Sequence, residues 1–300
     1  MAIVLISGAT GFIGSRLARA LETDGHRVVA LTRRAGDAGR FQWDPAHKRL
    51  DVRQLEELAP DVVINLAGEP IAKRWTAARK RAIRESRING TTALSHALAG
   101  VERKPRVFIS GSAIGYYGAF RGDELLTESG SAGDDFLAKV TAEWEAATQS
   151  AVAAGIRVIL PRTGIVLAPD GGALQRMILP FRFGVGGRIG SGRQWMSWIS
   201  MDDMIRSLIF MIGAEKVAGP VNCVAPHPVQ NAEFARTLGR VMRRPATFPV
   251  PAFALRLLFG TMADHTIMAS QRVVPEKLTG AGFEFRHPRL DEALRFELRR

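Results

Sequence analysis

Near the start of the chain, glycines recur at every third residue in Gly8-Ala-Thr-Gly11-Phe-Ile-Gly14. They follow the apolar run Ile3 to Ile6 directly and open an amphipathic segment, which puts them at a strand-to-helix turn. Glycine at these positions serves phosphate chemistry. Gly8 permits a tight turn, Gly11 lets the backbone approach a pyrophosphate, and Gly14 allows close packing of helix on strand, while the helix N-terminus offers amide donors and partial positive charge. Thr10, Phe12 and Ile13 complete the expected cofactor loop.

The end of the second strand reports which dinucleotide such a loop would hold. A site for a free ribose 2′-hydroxyl usually carries Asp or Glu roughly 20 residues past the glycines. Here the strand ends Leu31-Thr32-Arg33-Arg34, and no acid follows until Asp37. A carboxylate would repel a 2′-phosphate, whereas a guanidinium forms a bidentate, charge-assisted pair with it. Thr32, Arg33 and Arg34 are therefore expected to clamp the 2′-phosphate of NADP(H), the alternative being arginines of an exposed turn.

The elements that must position these residues alternate along the first half of the chain. Short β-rich runs at Ile3 to Ser7, Val28 to Thr32, Asp61 to Leu66, Val107 to Ser110 and Val158 to Leu160 are separated by amphipathic segments near Ile13 to Glu22, Thr76 to Leu98 and Lys139 to Ala153. That rhythm predicts an α/β fold with a doubly wound parallel Rossmann sheet. After about Leu167 the rhythm changes, through a glycine-rich stretch at Gly184 to Gly192 and prolines at 245, 249 and 251. The expected division is a dinucleotide domain over 1–167 and a smaller, mixed substrate-side lobe over 168–300, with a helical segment at about 250–298.

Composition narrows the setting. The 300 residues are 46% hydrophobic, enough to bury a sizeable core. Cys223 is the single cysteine, so no intramolecular disulfide can form and zinc sites of the Cys₄ or Cys₂His₂ type are excluded, which points to a reducing, cytoplasmic setting. The histidines are too dispersed to predict a metal site. Ile3 to Ile6 is too short for a membrane span or a secretory core, so no membrane is expected as a partner. The net charge of +12 is scattered except for one dense stretch at Arg74 to Arg87, and aromatic residues do not interleave with it as a stacking platform requires. The expected partner is a small-molecule substrate, possibly anionic, and not nucleic acid; oligomeric state is left open.

Further motifs carry a resemblance. Asn65-Leu-Ala-Gly68, Ser110-Gly-Ser-Ala-Ile-Gly-Tyr-Tyr-Gly118 and Pro161-Arg-Thr-Gly-Ile-Val166, together with the N-terminal glycines, resemble an extended short-chain dehydrogenase/reductase. Arg74-Trp75, Ser86-Arg87-Ile88, Phe181 to Gly192 and Trp198-Ile-Ser-Met-Asp-Asp203 are similar to the atypical epimerase-like subfamily, which carries a C-terminal domain of unknown function. The resemblance implies that Leu66, Ala67 and Gly68 touch the adenosine half of the cofactor through backbone and that Val166 approaches the nicotinamide. It also implies that Arg87 stands where many extended members carry an Asn. A cation there suits cofactor phosphate or substrate; a solvated helix arginine is the alternative.

The chain departs from that family at the catalytic dyad, a Tyr followed four residues later by Lys. Tyr116 and Tyr117 are its only tyrosines, with Phe120 and Arg121 at plus four, and the helix where the dyad belongs opens Asp134-Asp-Phe-Leu-Ala-Lys139. An unassisted phenol titrates near 10, so bringing it to neutrality takes roughly 4 kcal/mol from its surroundings. Ser112 is expected as hydrogen-bond donor to a substrate oxygen and Tyr116, or Tyr117, as the local phenol, against a packing role for both rings. Asp134 and Asp135 read as helix caps in preference to acid-base groups, and the resemblance lets Lys139 reach the nicotinamide ribose. Two functions remain open: an oxidoreductase or epimerase acting on a small polar, sugar-like substrate, or a non-catalytic NADP(H)-binding sensor or regulatory protein.

Overall fold

The computed structural model describes residues 1–33 and 40–299. At its centre is a sheet in the order Gly219–Cys223, Arg157–Thr163, Val107–Ser110, Val62–Asn65, Ile3–Ser7, Arg27–Thr32, Arg40–Asp44, Arg49–Leu50, parallel throughout except for the last pair. Ser112–Ala113 adds a short parallel rung against Arg162 and Thr163. The four-residue runs Val62–Asn65 and Val107–Ser110 are buried at every position, as expected of strands covered on both faces.

One face packs under helices Gly14–Thr23 and Met201–Gly213, whose Leu17, Leu21, Met204 and Leu208 share a core with Val4, Ile6, Ile64 and Ile109. On the other face, Leu94 and Leu98 of the long helix Ala77–Gly100 and Ala151 of Gln149–Ala153 pack on Leu5, Val63 and Phe108. The two faces of the central strands thus meet separate helix layers, the arrangement that a β-α-β rhythm produces. Among the described residues no helix is long and apolar enough to cross a membrane.

A second core joins helices Gly172–Arg182, Asn231–Met242 and Leu290–Glu297 around the fully buried Trp198, together with Phe181, Phe234 and Leu294. The expected division at residue 167 is not where the chain separates. Met201–Gly213 returns to cover the main sheet, and Gly219–Cys223 extends it beside Arg157–Thr163. The core around Trp198 is therefore assembled from segments on both sides of that return. Phe120–Leu126 reaches out from the first part to pair with Ser270–Val273 of the second.

Candidate functional site

Strand order reverses between Ile3–Ser7 and Val62–Asn65, because from the first of these the chain proceeds outward one way to Arg27–Thr32 and later fills the other side. In open α/β sheets ligands sit at the carboxyl ends of the strands at such a switch point. The glycine loop lies there. Gly8 has φ +73°, and Gly11 N–H donates back to Gly8 O at 2.9 Å. A Cβ on Gly14 would stand 2.1 Å from Gly8 O, and one on Gly8 would stand 2.8 Å from the Leu66 carbonyl carbon. A Cβ on Gly11 would meet only Gly8 O, at 3.1 Å, and otherwise point into open space. The first and last glycines are thus required by the fold, whereas the middle one keeps a cradle clear at a helix N-terminus. The residues present fit a dinucleotide pyrophosphate.

The neighbouring turn is pinned from below. Ser7 Oγ donates to Asn65 Oδ1 at 2.5 Å, Asn65 Nδ2 to Thr91 Oγ1 at 2.8 Å, and Trp144 Nε1 to the same Thr91 oxygen at 2.9 Å. This buried network fixes Leu66, Ala67 and Gly68 beside the glycine loop, with Leu66 N–H donating to Ser7 O. Arg87 lies against Gly68: its Nη1 donates to Glu69 O and Ile83 O, both at 3.0 Å, and its guanidinium stacks over Trp144. Burial lowers its pKa to about 10, so it stays a cation at neutral pH. It is a half-buried, oriented charge at the strand ends and not a solvated surface arginine.

The other expected residues divide. Thr32 ends the strand beside Ile3–Ser7 and Arg33 follows it, exposed, while Arg34 lies outside the described residues. Thr10 lies in the exposed part of the glycine loop, and Ile13 precedes the first helix. Phe12 packs against the Gly171-Gly172 turn, where a Cβ on Gly171 would sit 2.4 Å from its ring. The Val166 side chain belongs to the core with Ile199 and Met201, so that any approach to a ligand falls to its backbone.

The Ser112 geometry is different from the expectation. Its Oγ donates to Glu145 Oε1 at 2.6 Å, and Glu145 in turn takes Arg162 Nε at 2.8 Å and Nη2 at 2.9 Å. A hydroxyl has one proton, and here a carboxylate holds it, so Ser112 faces a ligand as an acceptor and not as a donor. Burial works against the Arg162 charge, but the hydrogen bonds and charge of Glu145 outweigh it and hold the guanidinium above its ordinary value. Tyr117 is fully buried, donates to Asn222 Oδ1 at 2.7 Å, and has its pKa raised by burial, which suits structure and not proton transfer. Tyr116 is half-buried with its ring 3.5 Å under the Arg162 guanidinium, and its hydroxyl has no hydrogen bond among the described residues. Sequence reasoning missed Glu145, because nothing local links it to a serine 33 residues earlier.

Asp135 caps helix Phe136–Ala146, accepting from Ala138 N–H, and its second oxygen takes Ala119 N–H at 2.7 Å. Lys139 projects from that helix, exposed and without a hydrogen bond or ion pair among the described residues. Beyond Phe120 opens a cleft of about 430 Å³, lined among others by Asp123, Ile189, Gln194 and Ser270, which lies between the two parts of the molecule.

The comparisons agree with this geometry. Residues 4–223 match the model of the NAD dependent epimerase/dehydratase family, and residues 250–297 match a domain of unknown function, DUF1731. The chain belongs to the NAD dependent epimerase/dehydratase family. An epimerase family protein of Mycobacterium bovis is 43% identical over 295 residues, covering 98% of this chain and 96% of its own. The Bacillus subtilis epimerase family protein YfhF is 36% identical over 97% of this chain and 96% of its own. Among solved structures, the human epimerase family protein SDR39U1 with NADPH superposes with a TM-score of 0.88 at 33% identity, covering 99% of both chains. A nucleoside-diphosphate sugar epimerase from Corynebacterium glutamicum gives 0.81 at 35% identity over 99% of this chain and 58% of its own. A family member of this kind is an NAD(P)-binding, epimerase-like protein with a Rossmann sheet.

Proposed function

We propose that this protein binds NADP(H) and acts as an oxidoreductase or epimerase on a small polar, sugar-like substrate held in the cleft beside Phe120. The observation that carries the cofactor is the open cradle at Gly11, next to a strand that ends at Thr32 and is followed by Arg33 and not by an acid. The NADPH in the human relative's structure supports the same choice. The glycine-loop amides would hold the pyrophosphate, Arg33 the 2′-phosphate, and Lys139 the nicotinamide ribose. Bound there, the dinucleotide supplies or accepts a hydride. The chain's part is to orient the substrate, exclude water and move a proton. The commitment of Ser112 to Glu145 favours a second reading, a binding-only sensor, since it removes the expected donor.

Fluorescence titration tests the cofactor. NADPH is expected to bind at least tenfold more tightly than NADH; equal affinities would sink the reading. A panel of aldehydes, ketones and nucleoside-diphosphate sugars, followed by dinucleotide absorbance and product analysis, separates enzyme from sensor.

A further inference from the structure

We propose that His265, oriented by Asp135, is the proton-transfer group of this site, in the place where the missing Tyr-Lys dyad leaves none; the inference rests on the NADP(H) reading above. Four segments converge at the carboxyl edge of the sheet. The loop after Val62–Asn65 brings Trp75, the turn after Val107–Ser110 brings Ala119, helix Phe136–Ala146 brings Asp135, and the C-terminal part brings a π-helical turn, Ala263–Ile267, carrying His265. Such turns recur at functional sites.

His265 Nδ1 lies 3.4 Å from Asp135 Oδ2, within ion-pair reach, and is buried with no hydrogen bond. The ring stacks on Trp75 at 6.1 Å, and Phe120, which lines the cleft, lies at the same centroid distance with its ring tilted by 56°. Its Nε2 makes no hydrogen bond among the described residues, and the side chain remains 28% exposed. An imidazole with one nitrogen facing a buried carboxylate and the other available is arranged to shuttle a proton.

The topology places the cleft in reach of the cofactor. With the 2′-phosphate end at Arg27–Thr32, a dinucleotide crossing the switch point runs its other end over Val62–Asn65 and Val107–Ser110, toward Asp135. When hydride reaches a substrate carbonyl carbon, the C=O π pair moves to oxygen, and that oxygen takes the proton from His265 Nε2. The N–H bond breaks as the O–H bond forms. The neutral imidazole left behind takes up a solvent proton, from hydronium or buffer, with Asp135 facing its Nδ1. Oxidation of an alcohol is the reverse.

The elements packed around His265 carry Asp135 itself with Asp134 beside it, Lys139 on the same helix, Lys80 over the Trp75 and Phe136 rings, Arg74 next to Trp75, Asp264 paired with Arg256, and, on the strand of Phe120, Arg121 paired with Glu124 and Asp123 accepting from Trp195 Nε1. None of these differs between complexes with oxidised and reduced cofactor. The nicotinamide ring does, being a cation only when oxidised.

The test is NMR titration of the His265 imidazole, assigned with His265→Gln, in saturated complexes with NADP⁺ and with NADPH. A nicotinamide beside it lowers the His265 midpoint in the NADP⁺ complex by about one pH unit relative to NADPH, the effect of one added charge a few ångströms away. Equal midpoints in the two saturated complexes would overturn the proposal and leave the cofactor reading standing. Failure of either dinucleotide to saturate, read by fluorescence, would overturn the cofactor reading and this one with it.

Discussion

The hydroxyl of Ser112 is 2.6 Å from Glu145 Oε1, a carboxylate already engaged by Nε and Nη2 of the Arg162 guanidinium. The three side chains form one buried unit beneath the rim of the site, with the Arg162 and Glu145 side chains only 2% and 10% exposed. Charge this deep is tolerated because each hydrogen-bonding edge finds a partner.

Removing one member should therefore cost more than the contact itself contributes. Glu145→Ala leaves Arg162 as a buried unpaired cation, and a loss of about 3–5 kcal/mol is expected. Urea denaturation followed by tryptophan fluorescence measures it. Ser112→Ala, which leaves the ion pair whole, should lower stability by only about 1 kcal/mol.

Arg33→Ala should erode the preference for NADPH by about 1.5–3 kcal/mol, roughly ten- to hundredfold, with NADH affinity unchanged. Parallel titrations of the two reduced dinucleotides decide the point. A loss shared equally by both would place Arg33 away from the 2′-phosphate.

Two glycines of one loop should fail in different ways. Gly11→Val fills the cradle and is expected to abolish dinucleotide binding with the circular dichroism spectrum intact, since its Cβ meets only Gly8 O. Gly14→Ala drives a methyl to 2.1 Å from Gly8 O and should destabilise the fold itself. Melting curves and titrations on the two variants distinguish these outcomes, and a Gly11→Val protein that still bound would displace the pyrophosphate from the site assigned to it.

Glu297 links stability to pH. Burial pushes its carboxyl up to about 7, although Met201 and Asp202 N–H groups donate to it. Between the ordinary value of 4.5 and 7 the folded protein holds a proton that the unfolded chain releases, so this group's contribution falls as pH rises through that window. Glu297→Gln should flatten that part of the profile, gaining relative to wild type at pH 8 and little at pH 4. Thermal melts across the range provide the check; parallel profiles would refute it.

The cofactor half of the site was legible because its requirements are local. Gly8 needs its left-handed backbone, Gly14 needs the absence of a side chain, and both lie within one strand-turn-helix unit. The reading of Asp135 as a cap also follows from neighbouring residues. The proton on Ser112 was not legible, since its fate depends on a helix residue that only tertiary packing brings near. His265 gave no signal because its turn follows no helical or strand periodicity. Gly219–Cys223, outside every run read as a strand above, is the outermost strand of the sheet; it pairs on one side only, and there Pro220 is tolerated.

That outermost strand also governs how the polypeptide can be cut or made. A fragment ending at residue 167 would leave the Arg157–Thr163 edge bare, with Val158 and Ile159 next to an unpaired row of amides, a template for aggregation. During synthesis the sheet stays incomplete until the ribosome has delivered more than fifty further residues, so closure waits on a distant pairing and favours slow folding. Exchanging the part built around Trp198 between relatives would need to keep Met201–Gly213 and Gly219–Cys223 with the main sheet, or that sheet would lose its cover and its edge.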